Sequence, residues 1–405
     1  MRILIIHNKY GALGGEDTMV ERISGLLRDN GHEVDFWLEE GVPLHAGLRL
    51  KARAFVRGIY SLDSARKVRQ RISSFRPDIV QVQNVYPMLS PSVLPAIRRL
   101  GFPVVMRCSN YRLVCPSGLF LSHGQVCERC LGGREYWCVL RNCENSIPKS
   151  VGYSVRNFAA RILRLFEANV TMFYAQTEFQ KKKLVEGGIP AERIDTIPNM
   201  VEIPECPNGA VAGGYVGFSG RLSPEKGIKT LLDAAKNCRQ IPFRLAGHFG
   251  RMPDAEKDKP ANVELLGYLD ESRLDRFYRD SRICVTPSVW YEGFPGVIIE
   301  AMLRAKPVIC SRIGGMPEIV DDGVTGLLFN PGDSKDLAAK IEWLWTHPDL
   351  CIEMGRAGRE KAVREYSPAR YYERLMNTYS RALKRAGFTI VKERSGVEAP
   401  ECGFE

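Results

Sequence analysis

Short apolar segments alternate with segments of helical periodicity along almost the whole chain. Five apolar segments stand in the first half: RILIIH, EVDFWL, DIVQVQ, PVVMRCS and MFYAQT. Six more follow in the second half: GYVGFSG, FRLAG, VELLGYL, RICVTPS, KPVICSR and TGLLFN. This alternation predicts an α/β fold in which parallel β-sheets carry helices on both faces.

The pattern restarts near residue 214, after a stretch rich in Pro and Gly, IPNMVEIPECPNGAVAGG, that is typical of a linker. We therefore predict two doubly wound, Rossmann-like domains, residues 1–200 and 213–370, with a ligand cleft between the carboxyl ends of their sheets. Long helical patterns fill the last third of the chain, and residues 391–405 are expected to be loosely ordered.

The composition suits two globular domains, with 405 residues of which 44% are hydrophobic and 26% charged. The sequence has no run of 18 apolar residues, and the opening MRILIIH is too short for the core of a signal peptide. We expect a cytoplasmic protein that is soluble or peripheral on the inner face of a membrane.

The formal net charge of +10 is unevenly distributed. Between Arg49 and Arg76, nine Lys or Arg residues stand against a single acid, Asp63. We expect no nucleic-acid partner, because this basic segment carries no recognition motif and its aromatic residues are not interleaved with the cations as a base-stacking platform would require. An anionic membrane surface or a phosphate-bearing acceptor fits the charge, and a basic face that is merely solvated remains an alternative.

Two glutamates bracket the predicted start of a helix in the segment WYEGFPGVIIEAM. Pro295 suits a first helical position, which would leave the first backbone N–H groups of the helix pointing outward. Glu292 precedes the helix, and Glu300 lies about 7.5 Å beyond Pro295 along its axis. Such carboxylates can bind the vicinal diols of sugars, although two surface glutamates on a helix are also commonplace.

A second segment, GFSGRLSPEKGIKTLLDAA, has two cations between a Gly-rich strand end and a helix. Arg221 offers a planar fork to phosphate oxygens and Lys226 a compact charge, beside the positive end of the helix. We expect both to face the cleft and form a diphosphate site, with two surface cations on an ordinary turn as the alternative. Gly14 and Gly15 follow the first strand, where they allow a ligand to approach the backbone closely.

Together these segments resemble the retaining glycosyltransferases of family 4, which have the GT-B architecture of two facing Rossmann-like domains. The resemblance covers nearly the whole chain and rests on GGED, SGRLSPEKGIKTLLDAA, the Glu-x7-Glu element YEGFPGVIIEAM, and KPVICSRIGGMPEIVDDGVTGLLFNPGD. It implies that a C-terminal helix, residues 371–390, crosses back onto the N-terminal domain.

The resemblance also implies a role for each candidate residue. Arg221 and Lys226 would hold the nucleotide diphosphate, and Glu300 would bind the ribose hydroxyls. The remaining donor contacts would come from Glu292, Gly14, Gly15, Gly293, Phe294, Pro295 and Gly296.

The implied reaction moves a sugar from a nucleotide-diphosphate donor to a glycan or lipid-linked acceptor in polysaccharide biosynthesis, with retention at the anomeric carbon. Negative charge that grows on the departing diphosphate would meet Arg221 and Lys226. The sequence has no convincing Asp-x-Asp metal motif, so we expect catalysis without a metal or other cofactor. Alternatives are another GT-B activity, such as a nucleotide-sugar epimerase, and a catalytically silent scaffold that binds a nucleotide sugar or a membrane.

The N-terminal domain departs from the family pattern. Relatives carry histidines in the segments written here as DIVQVQNVYPMLSP and VVMRCSNYRLVCP, where this chain has Gln81, Gln83 and Ser109. We expect Ser109 to face the donor sugar across the cleft from Glu292. The missing histidine indicates either a pocket reshaped for a different sugar or a loss of activity.

Five of the twelve cysteines crowd between residues 115 and 143. Cys127 and Cys130 form one C-x2-C pair, and Cys115 and Cys143 could complete a closed tetrahedral zinc site. A second C-x2-C pair is missing from the sequence, so free thiols or disulfides remain alternatives. A zinc site here would stiffen a loop on the acceptor side of the cleft.

Overall fold

Two six-stranded parallel sheets form the framework of the protein. The computed structural model describes residues 1–9, 15–40, 47, 55, 57–204, 213–248 and 255–387. Among these residues, no helix is both long enough and apolar enough to span a bilayer.

The first sheet consists of β1 (Arg2–Asn8), β2 (Glu33–Glu39), β3 (Ile79–Asn84), β4 (Val104–Arg107), β7 (Met172–Ala175) and β8 (Ile194–Thr196). Its strand order is β2-β1-β3-β4-β7-β8. A small antiparallel pair, β5 (Leu121–Ser122) and β6 (Gln125–Val126), lies in the cysteine-rich segment. The helices of this half are α1 (Gly15–Asp29), α2 (Leu62–Phe75), α3 (Val93–Arg99), α4 (Tyr136–Leu140), α5 (Ile147–Ile162) and α6 (Glu178–Glu186).

The second sheet consists of β9 (Tyr215–Ser219), β10 (Phe243–Ala246), β11 (Val263–Gly267), β12 (Ser281–Thr286), β13 (Val308–Ser311) and β14 (Gly326–Phe329). Its strand order is β11-β10-β9-β12-β13-β14. The remaining helices are α7 (Ile228–Asn237), α8 (Ala255–Asp258), α9 (Glu271–Asp280), α10 (Gly296–Leu303), α11 (Met316–Ile319), α12 (Ser334–Trp345), α13 (Pro348–Tyr366) and α14 (Pro368–Arg385).

Strand β1 shows why the strands read as continuous apolar segments in the sequence. Ile3, Leu4, Ile5 and Ile6 are all fully buried. Leu4 and Ile6 belong to one apolar cluster, whereas Ile3 and Ile5 belong to another on the opposite face of the sheet. Because both faces of a parallel sheet are covered, alternation between apolar and polar positions is lost. The predicted α/β class is therefore confirmed.

Helix α14 follows the second domain in sequence but packs on the first. Tyr371, Leu375 and Tyr379 are buried in the same apolar cluster as Ile3 and Ile5 of β1. The Thr378 hydroxyl of this helix also donates to Asp195 at 2.7 Å. The returning helix begins at Pro368, slightly earlier than the sequence indicates, and together with the two doubly wound sheets it establishes the predicted GT-B fold.

The strand order of the two sheets indicates where a ligand would bind. The direction of winding reverses between neighbouring strands β9 and β12, and in the first sheet it reverses between β1 and β3. Ligands of doubly wound sheets bind outside the carboxyl ends of the strands at such a reversal. The segments that follow β9 and β12 are therefore the first place to look for a site.

Candidate active site

The segments after β9 and β12 leave the same edge of the second sheet and contact each other. A 3₁₀ turn, Pro224–Lys226, follows β9, and the N–H of Val289 in the loop after β12 donates to the Glu225 carbonyl at 3.0 Å. The first segment carries Lys226 and the second carries Glu292. Two residues that are distant in sequence are therefore brought to one place.

Gly227 makes this close contact possible. Its φ is 72°, a left-handed conformation that side chains disfavour, and a Cβ atom there would lie 1.8 Å from the Pro287 carbonyl oxygen. A glycine is the residue that satisfies both conditions. The turn carrying Lys226 can consequently lie directly on the loop that leads to Glu292.

Glu292 is buried, and its carboxylate accepts two hydrogen bonds. Lys226 Nζ lies 2.7 Å from Glu292 Oε1, and the Ser288 hydroxyl donates to the same oxygen at 2.6 Å. Burial raises the pKa of the Glu292 carboxyl, but the charge of Lys226 and the hydrogen bonds outweigh burial and lower the pKa below its usual value. Glu292 is therefore an anion at neutral pH, and Lys226 is its partner as well as a candidate ligand for phosphate.

Arg221 is the more exposed of the two candidate cations. Its side chain is 56% exposed, and its guanidinium approaches Glu225 Oε1 no closer than 3.7 Å. It follows the end of β9 by two residues. Arg221 thus extends into solvent at the carboxyl end of the strand, where an anionic ligand can reach it.

Helix α10 begins at Gly296, with Pro295 immediately before it rather than in the first turn as predicted. The N–H of Ile298 donates to the Pro295 carbonyl. The N–H groups of Gly296 and Val297 therefore stand at the open start of the helix, where an anion is favoured.

Glu300 lies one turn into α10 and is held by a cation. Arg304 Nη1 donates to Glu300 Oε2 at 2.6 Å, and Arg304 Nε donates to Asp275 at 2.8 Å. The Glu300 side chain is 28% exposed. The ion pair fixes the orientation of the Glu300 carboxylate but leaves part of it accessible to a ligand.

The loop before α10 lies against the first domain. A Cβ atom on Gly293 would lie 2.8 Å from the side-chain oxygen of Gln176 and 3.3 Å from the Ser109 carbonyl oxygen. Phe294 is buried and packs edge-on against Tyr366, with ring centroids 5.4 Å apart. In this loop, the Phe294 ring is thus part of the core and only its backbone is available for the predicted donor contact.

Ser109 follows β4 and belongs to a polar network at the end of the first sheet. Its hydroxyl accepts a hydrogen bond from Arg107 Nη1 at 2.9 Å, and Arg107 Nη2 donates to the Asn199 side chain at 2.7 Å. Gln176 donates to the same Asn199 oxygen at 3.2 Å. The structure therefore puts Ser109 beside the loop that bears Glu292.

The polar pair His7 and Asp17 at this end of the first sheet was not identified from the sequence, whereas Gln83 was. His7 Nε2 and Asp17 Oδ1 are 2.7 Å apart and buried. The Gln83 side chain is also buried, and both of its polar atoms lack a hydrogen-bond partner among the described residues. A polar residue at the end of β1 followed by GGED was the available signal for the His7–Asp17 pair.

The other first-domain candidates lie apart from this group. The Gln81 amide donates to the Tyr174 hydroxyl at 3.1 Å, and its oxygen accepts from Tyr379 of α14, so Gln81 is a core residue. Gly15 is the first residue of α1. Gly14 lies outside the described residues.

Tyr291 links the donor-side loop to the first domain. Its hydroxyl donates to Glu128 at 2.8 Å, and its ring packs edge-on against Phe179 with centroids 4.7 Å apart. The rings of Tyr111 and Phe120 lie nearby, at 6.4 and 6.1 Å. The residue next to Glu292 is therefore fixed by an aromatic cluster of the opposite domain.

The predicted zinc site is not supported. Within the described part of the chain, no group of three or more His, Cys, Asp or Glu side chains is arranged to hold a metal ion. Cys115 faces the Ser117 hydroxyl at 3.3 Å, and Cys143 bonds to Ser122 at 3.6 Å. Cys115, Cys127, Cys130 and Cys143 are all free cysteines.

Two family models match the chain, one for each domain. Residues 14–200 match the model described as a glycosyl transferase 4-like domain. Residues 213–347 match the model described as glycosyl transferases group 1.

Curated relatives match parts of the chain. The alpha-maltose-1-phosphate synthase of Mycolicibacterium smegmatis is 30% identical over 182 residues, which cover 40% of this chain and 47% of that protein. An uncharacterized glycosyltransferase of Methanocaldococcus jannaschii is 36% identical over 147 residues, which cover 35% of this chain and 41% of that protein. The chain thus spans about half the length of these relatives, or less.

Solved structures match over nearly the whole chain and show the shared fold. Sucrose-phosphate synthase from Thermosynechococcus elongatus has a TM-score of 0.70 at 19% identity, covering 95% of this chain and 99% of that chain. The Anabaena protein HepE, solved in complex with UDP and glucose, has a TM-score of 0.62 at 18% identity, covering 94% of this chain and 99% of that chain.

Proposed function

The chain belongs to the group 1 glycosyltransferases of family 4, and we propose that it transfers a sugar from a nucleotide-diphosphate donor to a glycan or lipid-linked acceptor with retention at the anomeric carbon. One observation carries the proposal: Lys226 and Glu292, from the segments after two adjacent strands, meet at 2.7 Å beside the start of α10. The cation and the helix start suit the diphosphate of a nucleotide sugar, and the carboxylate suits its sugar hydroxyls.

Arg221 and Lys226 are the proposed ligands of the diphosphate. Arg221 extends from the end of β9, and Lys226 can offer phosphate the N–H groups that Glu292 does not use. The start of α10 adds its own partial positive charge. In this proposal the cations of the chain neutralise the leaving group, so that no divalent ion is required.

The two glutamates are proposed to bind the ends of the donor. Glu300, oriented by Arg304, would accept hydrogen bonds from the ribose hydroxyls. Glu292, ionised and buried, would accept from a hydroxyl of the donor sugar. Ser109, Gly15 and the backbone of residues 293–296 are proposed to line the rest of the donor pocket.

The reaction exchanges one bond at the anomeric carbon for another. The bond from that carbon to the diphosphate oxygen breaks, and the electron pair leaves with the diphosphate. A bond to the acceptor oxygen forms on the same face, and the proton of the acceptor hydroxyl passes to the departing diphosphate. Arg221 and Lys226 stabilise the negative charge that grows during this step, which supplies several kcal/mol in sites of this kind.

The acceptor is proposed to bind along the first sheet. The buried His7–Asp17 pair and the unpartnered Gln83 amide offer polar groups for hydroxyls at the ends of β1 and β3. A lipid-linked acceptor would place the enzyme on the inner face of a membrane.

The basic segment gives this membrane location limited support. Arg57 and Arg71 form ion pairs with Asp63 at 2.7 Å and Asp35 at 2.8 Å, so part of its charge is neutralised within the domain. Arg66 and Arg69 are exposed on α2. The further cations Arg49, Lys51 and Arg53 lie outside the described residues.

The proposal is tested by the release of nucleoside diphosphate from UDP-, GDP- and ADP-linked sugars, with and without glycan acceptors. We expect one donor to be consumed, slowly in water and faster with an acceptor. Arg221→Ala should raise the barrier by about 2 to 4 kcal/mol, whereas the surface control Lys236→Ala should not. A chain that consumes none of these donors, or that keeps full activity as Arg221→Ala, would contradict the proposal; the anomeric configuration of the product, read by NMR, tests retention.

A further inference from the structure

Helix α5 is apolar on the face that it turns to solvent. Five large apolar side chains repeat at spacings of three or four residues, which puts them on one side of a helix. Their exposed fractions are Ile147 53%, Val151 39%, Val155 42%, Phe158 51% and Ile162 56%. The residues that α5 buries are instead small or polar: Ser150, Gly152, Ser154, Arg156, Asn157 and Ala160. A surface helix usually buries its apolar side, whereas α5 exposes it.

The buried polar side chains fix this orientation. The Ser154 hydroxyl donates to the Glu135 carbonyl at 2.8 Å, and the Asn157 amide donates to the Arg112 carbonyl at 2.6 Å. A rotation of α5 that buried the apolar stripe would break both bonds and leave polar groups unpaired. The stripe is therefore a stable part of the surface.

Neighbouring segments extend the apolar surface. Tyr136 and Leu140 of α4 are 54% and 68% exposed, and Leu163 after α5 is 57% exposed. The Phe55 ring, 40% exposed, lies 2.9 Å from a Cβ position on Gly152, so the basic segment touches α5 at this point. We call the five stripe residues together with Tyr136, Leu140 and Leu163 the α5 face. Contiguous apolar surface of this kind marks an interaction site.

The charge around the α5 face is positive. Residues 129–167 contain seven Lys or Arg and three Glu, and because Arg156 is buried, the surplus near the surface is three positive charges. The three glutamates are already paired, Glu135 with Arg161 at 2.7 Å, Glu144 with Lys149 at 3.4 Å and Glu167 with Arg164 at 2.7 Å. A second copy of this face would bring like charges together, whereas a surface of anionic headgroups would complement them.

We propose that the α5 face docks on a bilayer containing anionic phospholipid, with its apolar stripe at the boundary between headgroups and acyl chains. An apolar stripe flanked by Lys and Arg is the pattern of helices that lie in this boundary. Asn157 of α5 bonds to the segment that follows Ser109, so docking holds the acceptor side of the cleft near the lipid surface. The inference concerns location and does not depend on the sugar-transfer reaction.

The test measures sedimentation of the full chain with vesicles of phosphatidylglycerol and phosphatidylcholine, and with phosphatidylcholine alone. We expect binding to the anionic vesicles, weakened by added salt. Val155→Asp combined with Phe158→Asp should lower the partition coefficient about tenfold or more, because two apolar side chains leave the lipid. The matched control is Val324→Asp combined with Trp343→Asp, two exposed apolar residues of the second domain.

The fold of each variant is checked by its thermal unfolding, and Ile162→Ser provides a milder change on the last turn of α5. The inference is overturned if the wild-type chain does not bind anionic vesicles, or if the control loses as much binding as the α5 variant. Light scattering that shows a dimer, converted to a monomer by the α5 substitutions, would instead assign the face to a second copy of the chain.

Discussion

The Tyr291 hydroxyl donates a 2.8 Å hydrogen bond to Glu128 across the domain interface. Glu128 lies between Cys127 and Cys130 in the cysteine-rich segment, and it also pairs with Lys183 at 2.8 Å. Tyr291 immediately precedes Glu292 in sequence. The cysteine-rich segment therefore contributes to the position of the donor-side loop.

Removing this hydrogen bond should loosen the loop. We expect Tyr291→Phe to lower the free energy of unfolding by about 1 kcal/mol and to raise the KM for the donor, because the aromatic packing is kept and the hydrogen bond is lost. Urea denaturation and donor titration measure the two effects. Tyr268→Phe, at an exposed tyrosine, is the control, and equal effects of the two substitutions would contradict a positioning role for Tyr291.

Lys226 is predicted to have both a structural and a chemical role. Lys226→Ala should destabilise the fold by about 3 kcal/mol, since it leaves the buried Glu292 carboxylate without its cation. Lys226→Met combined with Glu292→Gln should recover most of that stability and remain inactive. Urea denaturation of the wild type, of Lys226→Ala and of the double variant measures these differences in stability. Wild-type stability in Lys226→Ala would show that the ion pair contributes little.

The Lys226–Glu292 pair should make stability depend on pH. The pKa of Glu292 in the folded chain lies below the value of 4.5 for an unperturbed glutamate, so its contribution is present above about that pH and is lost as the pH falls through the folded pKa. We expect the stability difference between wild type and Glu292→Gln to shrink below about pH 4.5. Denaturation at a series of pH values measures it, with the exposed Glu353→Gln as control. A difference that stays constant to pH 3 would be inconsistent with this assignment.

Gly227→Ala should displace the Lys226 turn from the Glu292 loop. A Cβ atom would meet the Pro287 carbonyl oxygen at 1.8 Å in addition to the cost of a positive φ. Gly323 provides the matched control, since its φ is 78° and nothing lies within 4 Å of its Cβ position. We expect Gly323→Ala to lose about 1 kcal/mol of stability, and Gly227→Ala to lose clearly more together with most activity. Equal losses of stability in the two variants would mean that the loop containing Pro287 moves aside at little cost.

Ser109→His should lower donor affinity. The larger side chain would lose the hydrogen bond from Arg107, and it would crowd the place where Ser109 and Gly293 already lie close together. Donor KM and kcat for this variant are compared with those of Ser109→Ala, which loses the hydrogen bond without adding volume. An increase in turnover for the histidine variant would favour the other account, in which the missing histidine has reduced activity.

Local order in the sequence indicates on which elements the candidate residues lie. Arg221, Lys226 and Glu292 follow strand ends and Glu300 lies one turn into a helix, and such positions can be predicted from glycines, prolines and apolar segments. The pairing of Lys226 with Glu292 could not be read in this way, because β9 and β12 are neighbours in the sheet but are separated by two strands in the chain. The Tyr291–Glu128 bond joins two domains and has no local signal.

The unsupported zinc prediction, and the orientation of α5 that was not predicted from the sequence, have physical causes as well. Cysteine spacing gives the number of residues between the cysteines. The direction of each thiol also depends on its neighbours in the fold, such as Ser117 and Ser122. The segment of α5 shows clear helical periodicity, yet periodicity does not tell which side of a helix is buried. Only the contacts of Ser154 and Asn157 reveal that the polar side faces inward.

The return of α14 to the first domain has a consequence for biosynthesis. All strands of the first sheet have been synthesised once Thr196 has left the ribosome, but Tyr371, Leu375 and Tyr379, which cover one face of that sheet, come much later. While the second domain is being synthesised, one face of the first sheet therefore lacks the α14 side chains that cover it in the complete fold. The core of the first domain can therefore be completed only after α14 has been synthesised.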